Sequence, residues 1–148
     1  MSDAGTYAAL EKEITDALTG TCGIPGVVSV EPALSVVDLA DHAVRKPVVG
    51  VVDAGADESG EVAIGSRRRL ARFTFEVAVV VSSARGKKDA RGTLRGILEA
   101  VRDRVHYLPS SQPGSGRWRW KSENPVEVTG DDLLAAVASY SIETVIGR

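Results

Sequence analysis

Cations interleaved with aromatics are the residues of this chain whose types and spacing come nearest to chemistry. In Arg117-Trp118-Arg119-Trp120-Lys121 the alternation places both indoles on one face of an extended strand and three cations on the other. Such a ladder can hold phosphates and stack bases, as single-strand binders do. It can equally bury its tryptophans in a core or interface and pair its arginines with the acidic surface of a neighbouring subunit. The run Arg67-Arg68-Arg69, with Arg72 just beyond it, is open to the same two readings.

No other grouping makes a catalytic constellation. His42 and His106 lie in different segments without metal-ligand spacing, so a zinc site would need a further ligand from elsewhere. Arg85-Gly86-Lys87-Lys88 lacks the spacing of a phosphate-binding GxxxxGK[ST] loop. Adjacent Asp131 and Asp132 would point to opposite faces of a strand and cannot act as an acid/base pair; they suit a turn or a cap. Cys22, next to Gly23, could be a nucleophile, but no histidine or asparagine is locally tied to it and it reads as an inert small hydrophobe. A single cysteine excludes an intramolecular disulfide and a cysteine-cluster zinc site.

The elements that would position these residues belong to one domain spanning residues 1–148, with 43% hydrophobic and 26% charged residues. No stretch approaches the roughly 20 apolar residues that span a bilayer, and the N-terminus lacks a basic segment followed by an apolar run, so the chain is expected to be untargeted and soluble. Net charge is −2, but it is unevenly spread: residues 1–66 hold 3 basic and 11 acidic side chains, and residues 67–104 hold 11 and 4. Unlike blocks of this kind can steer nucleic acid or join identical subunits head to tail.

Alternation of Phe73, Phe75, Val77, Val79 and Val81 with Arg72, Thr74, Glu76, Ala78 and Val80 predicts a long strand whose second face turns apolar only near its end. After a basic turn, Leu94, Ile97, Leu98, Val101 and Val105 recur at helical steps and share that strand's core. Tyr7, Leu10, Ile14, Ala17 and Leu18 predict an N-terminal helix over Thr6 to Leu18 with Thr6 as its cap. Val27, Val28 and Val30 suggest a short strand bounded by Pro32, with a further apolar run at Leu34 to Leu39. Val48 to Val52 reads as a strand buried on both faces in the middle of a sheet. Asp53-Ala54-Gly55-Ala56-Asp57-Glu58-Ser59-Gly60 reads as a mobile surface loop, and Val62 to Ile64 as resumed strand. Residues Pro109 to Gly116 form an exposed connector, Pro125 breaks the Arg117 to Lys121 run before Val126 and Val128, and Leu133 to Ile146 ends as a strand. The fold class expected is α+β: a mainly antiparallel sheet with two principal helices packed on one face.

This order of helix, valine-rich strand, flexible insertion, long strand, helix, proline/glycine loop and terminal strand resembles the tail terminator proteins of long-tailed bacteriophages. The likeness is to the small Mu-like type and to the related caps of contractile injection systems, and it extends over nearly the whole chain without an invariant motif. The resemblance implies a non-enzymatic subunit, without cofactor or metal, that forms a hexameric ring on the head-proximal end of the tail tube. There it would end tube growth and offer a surface for head joining. Its partners would be further copies of itself, the tail tube protein and a head-tail connector protein, within a virion tail assembled in the host cytoplasm. Arg67, Arg68, Arg69, Arg72, Arg117 and Arg119 would then face a subunit or the tube, with Asp53, Asp57 and Glu58 on a flexible loop that could order against a neighbour or the tube. A small nucleic-acid-binding module and a small enzyme with an unrecognised site are the other classes weighed.

Overall fold

The computed structural model describes residues 3–19, 29–32, 47–61, 69–83, 86–126 and 132–146. Its organising element is the strand β3, Arg69–Ser82. Phe73, Phe75, Val77, Val79 and Val81 are buried on one face, whereas Arg72, Thr74 and Glu76 on the other stay half-buried until Ala78 and Val80 close that face too. β3 lies between β2, Val48–Glu61, and β5, Leu133–Ile146, and is antiparallel to both. A short β1, Ser29–Pro32, runs parallel to β2 over Val48 to Val51, and β4, Arg119–Val126, pairs with β5. The sheet order is β1-β2-β3-β5-β4. The α+β fold with a mainly antiparallel sheet thus follows the alternation read from β3 and β5.

Helix α1, Asp3–Ala17, and helix α2, Lys87–Val105, cover the same face. Leu10 and Ile14 from the first, with Leu18 just past its end, join Leu94, Ile97, Leu98, Val101 and Val105 from the second over the odd residues of β3. Tyr7 sets its ring edgewise on Phe73, centroids 4.9 Å apart. Val48, Ala78, Val80, Ala135 and Val137 form a smaller apolar cluster on the opposite face.

Both helices begin earlier than their leucines suggest. Thr6 does not cap α1 but lies inside it, buried four residues before Leu10 as part of the same stripe. Ala90 extends the α2 stripe back one turn, and its amide donates to the Gly86 carbonyl at 3.1 Å. Gly86, at φ 122°, occupies a backbone region that side-chain-bearing residues rarely enter. Asp89 in the first turn and Arg102 and Arg104 in the last complement the helix dipole.

Three further expectations need correction. The segment carrying Asp53, Asp57 and Glu58 is not a loop: β2 continues through it to Glu61, paired with β3 as far as Arg69. Cross-strand pairing with β3 holds the segment extended, and its local composition accommodates that with irregularities at Asp53/Ala56 and Glu58/Gly60. Pro125 does not break β4, because β4 is an edge strand and a residue without an amide hydrogen is tolerated there. Val48, Val49 and Val51 are buried on both faces as expected, but the central position of the sheet belongs to β3. Cys22, His42, Leu34 to Leu39 and Val62 to Ile64 lie outside the described residues.

Candidate assembly surface

The tryptophan ladder divides into a core residue and a rim residue. Trp118 is fully buried, its ring edgewise on Phe75 with centroids 5.7 Å apart. Its indole nitrogen donates to Glu13 Oε1 at 2.7 Å. Glu13 Oε2 accepts from both the amide and the hydroxyl of Ser111, each at 3.1 Å, so one carboxylate of α1 ties the Pro109–Gly116 connector and the Trp118 ring to the helix layer. Trp118 also exchanges backbone bonds with the chain leaving α2, accepting from Tyr107 and donating to Leu108.

Trp120 stands at the rim, 38% exposed. The Arg102 guanidinium lies over its ring at 5.1 Å, its indole nitrogen donates to Glu123 Oε1 at 3.2 Å, and Arg102 donates to the same oxygen at 2.7 Å. Hydrogen bonding to Glu123 holds the Arg102 guanidinium even more firmly protonated than usual, with burial opposing. The Trp120 amide donates to His106 Nδ1 at 2.9 Å, which gives this histidine a structural role at the end of α2. Beneath this rim sits Tyr140, fully buried, its hydroxyl without a hydrogen-bond partner. Burial pushes that phenol well above its ordinary range, with Glu123 adding to the effect.

Arg117 and Arg119 converge on Tyr107. Arg117 Nη1 donates to the Tyr107 carbonyl at 3.1 Å, and the Arg119 guanidinium lies 5.6 Å from the ring centroid. Tyr107 is half exposed and adopts φ 65°, a strained conformation for a non-glycine residue in the tight turn that follows α2. Lys121 is exposed beside a register shift in β4.

The other arginines are engaged at the far end of the sheet. Arg69 pairs with Glu58 at 3.1 Å; Arg72 lies 3.8 Å from Asp57 and 3.7 Å from Glu143. The last three occupy one row across β2, β3 and β5, since Asp57 is opposite Arg72 and Arg72 opposite Glu143. The acidic and basic blocks of the sequence therefore meet first within the chain, where these exposed pairs contribute little to stability. Arg67 and Arg68 lie outside the described residues. Asp53 accepts the amide of Gly55 at 2.8 Å, and Gly55 takes φ 98° in the bulge that leaves Ala54 and Gly55 without partners on β3.

On this geometry a base-stacking platform loses one of its two indoles to the core and has Arg102 already seated on the other. Among the described residues no three His, Cys, Asp or Glu side chains gather to hold a metal.

No family model and no curated protein matches this chain. Among solved structures, a chain in the virion of a native gene transfer agent particle is 15% identical, covering 95% of this chain and 97% of that one at a TM-score of 0.62. The two chains share a fold. A second solved chain, 21% identical over 100% of this chain and 99% of its own length, aligns at a TM-score of 0.46, too low to bear on the fold.

Proposed function

We propose that this chain is a structural component of a phage-type virion and, more specifically, the ring-forming subunit that terminates its tail tube. The observation that carries the reading is the fold shared from end to end with a chain of the gene transfer agent virion, at 95% and 97% coverage. An element order that resembles tail terminators supports the finer assignment. In this reading the protein acts by binding alone. Copies close into a hexameric ring, one face of the ring accepts the last layer of tube subunits, and the other meets the head-side connector. Unlike faces are what such a task requires, because a cap must engage the tube without presenting the tube's own surface again. A heterologous contact closes into a ring when its rotation permits.

The test is electron microscopy of particles assembled without this chain. Overlong tubes separated from heads, restored to uniform length when the chain is supplied in trans, are the expected result. Tails of normal length joined to heads in its absence would overturn the assignment.

A further inference from the structure

A groove of about 630 Å³ opens between α2 and the edge of the sheet formed by β4 and β5. Its walls are mostly apolar, with Leu94 and Leu98 from the helix and Val126 and Leu133 from the strands; Arg91 and Arg95 line it from α2, and Glu123, already paired with Arg102, lines it from β4. Arg91 and Arg95 are exposed and form no ion pair among the described residues. Lys88 lies on the same helical stripe, one turn before. Beside the arginines, Gly92 and Gly96 leave the exposed helix face bare, and a side-chain carbon at either would meet nothing within 4 Å. Those two glycines weaken the helix with no packing reason among the described residues.

The other side of the sheet carries the complementary feature. Among the described residues, β1 pairs with β2 from Val48 to Val51. Beyond that the β2 bulge presents Ala54, Gly55 and Ala56, small residues set between the carboxylate of Asp53 and those of Asp57 and Glu58, which are shared with Arg72 and Arg69 at distances of 3.8 and 3.1 Å. Asp53 has no cationic partner among the described residues. Groove and bulge therefore sit toward opposite edges of one sheet, since β4 and β5 lie on one side of β3 and β2 on the other.

We infer that copies of this chain join head to tail, the acidic β2 bulge of one copy seated against the arginine-rimmed groove between α2 and β4 of the next. The inference rests on the ring reading above and names the surfaces that build the ring. Small residues flanked by carboxylates are complementary in charge, and unhindered in side-chain size, to a mostly apolar groove flanked by arginines. Placement at opposite edges lets every copy use both surfaces at once, which a two-fold contact between like patches would not. Charge complementarity of this kind sets partner choice and register, and it makes the contact sensitive to salt.

Two variants of the full chain test it: Asp53→Lys/Asp57→Lys, which makes the bulge basic, and Arg91→Glu/Arg95→Glu, which makes the groove acidic. Light scattering reads assembly, and circular dichroism confirms that each variant is folded. Each alone should need roughly tenfold or more the wild-type concentration to assemble. An equimolar mixture should assemble again, because the basic bulge of one variant meets the acidic groove of the other. Folded variants that each assemble as wild type, or a mixture that stays dissociated, would overturn this contact while leaving a wild-type ring intact. A wild-type chain that remains monomeric at low salt would overturn the contact and the ring reading together.

Discussion

Replacing Glu13 by alanine should destabilise the fold although Glu13 looks, in sequence, like a solvated helix charge. Its carboxylate accepts three hydrogen bonds, from the Trp118 indole at 2.7 Å and from the Ser111 amide and hydroxyl at 3.1 Å each. Ser111 is exposed, so water replaces its lost bonds at little cost. Trp118 is fully buried, and leaving its N–H without an acceptor carries the desolvation penalty of that donor, about 1–3 kcal/mol. Urea denaturation followed by far-ultraviolet circular dichroism should show that loss as a lower midpoint with an unchanged slope. Glu13→Gln keeps a neutral acceptor and should fall between the two. In a Trp118→Phe background the Glu13→Ala substitution should lose most of its effect, since the two groups act as a pair. Lys12→Ala, which removes the exposed pair to Asp16 on the same helix, should leave the midpoint unmoved. A Glu13→Ala protein that unfolds with the wild-type midpoint would refute the clamp.

Leu98→Ala should cost about 2–5 kcal/mol and Val101→Ala somewhat less, read by denaturant midpoint, because both side chains lie in the core under α2. Gly92→Ala and Gly96→Ala should each raise stability by roughly 0.5–1 kcal/mol, measured by thermal unfolding at a concentration that keeps the chain monomeric, since both sites are helical and open. Tyr140→Phe should match or exceed wild-type stability at neutral pH by removing a buried hydroxyl without a partner. The folded phenol ionises above its ordinary value of 10.0, so its contribution is full below that pH and lost as pH rises past it, where the unfolded chain ionises first. Wild-type stability should therefore fall more steeply than that of Tyr140→Phe in denaturation series carried above about pH 10, by at most about 1.4 kcal/mol per pH unit.

The parts of the fold legible in sequence are those whose partners are solvent and core, because periodicity records only that division. Phe73 to Val81 and Leu133 to Ile146 alternate, and Leu94 to Val105 repeats at helical steps, so strand, strand and helix could be placed before their neighbours were known. The extension of β2 was hidden because its reason lies in β3. Asp53 to Gly60 is small, acidic and glycine-bearing, and only pairing with Leu70 to Phe75, with Arg72 opposite Asp57, reveals it as strand. Trp118 and Trp120 look alike in the ladder; their different burial goes with the turn leaving α2, whose residues Tyr107 and Leu108 bond to the Trp118 backbone. Glu13 gave no signal of its role, since neither its neighbours nor its spacing points to residues 111 and 118. Of the arginines singled out, Arg69 and Arg72 serve pairs within the chain, whereas Arg91 and Arg95, which sequence alone did not separate from other helix charges, line the groove.

The most direct measurement of the tail-terminating role is tube growth in vitro. Purified tail tube protein is allowed to elongate, this chain is added at a small fraction of the tube subunit concentration, and length is followed by electron microscopy. Elongation that stops, with a ring of added density at one end of each tube, is the result expected of a terminator. Tubes that continue to lengthen at the same rate, with the chain absent from their ends, would contradict it.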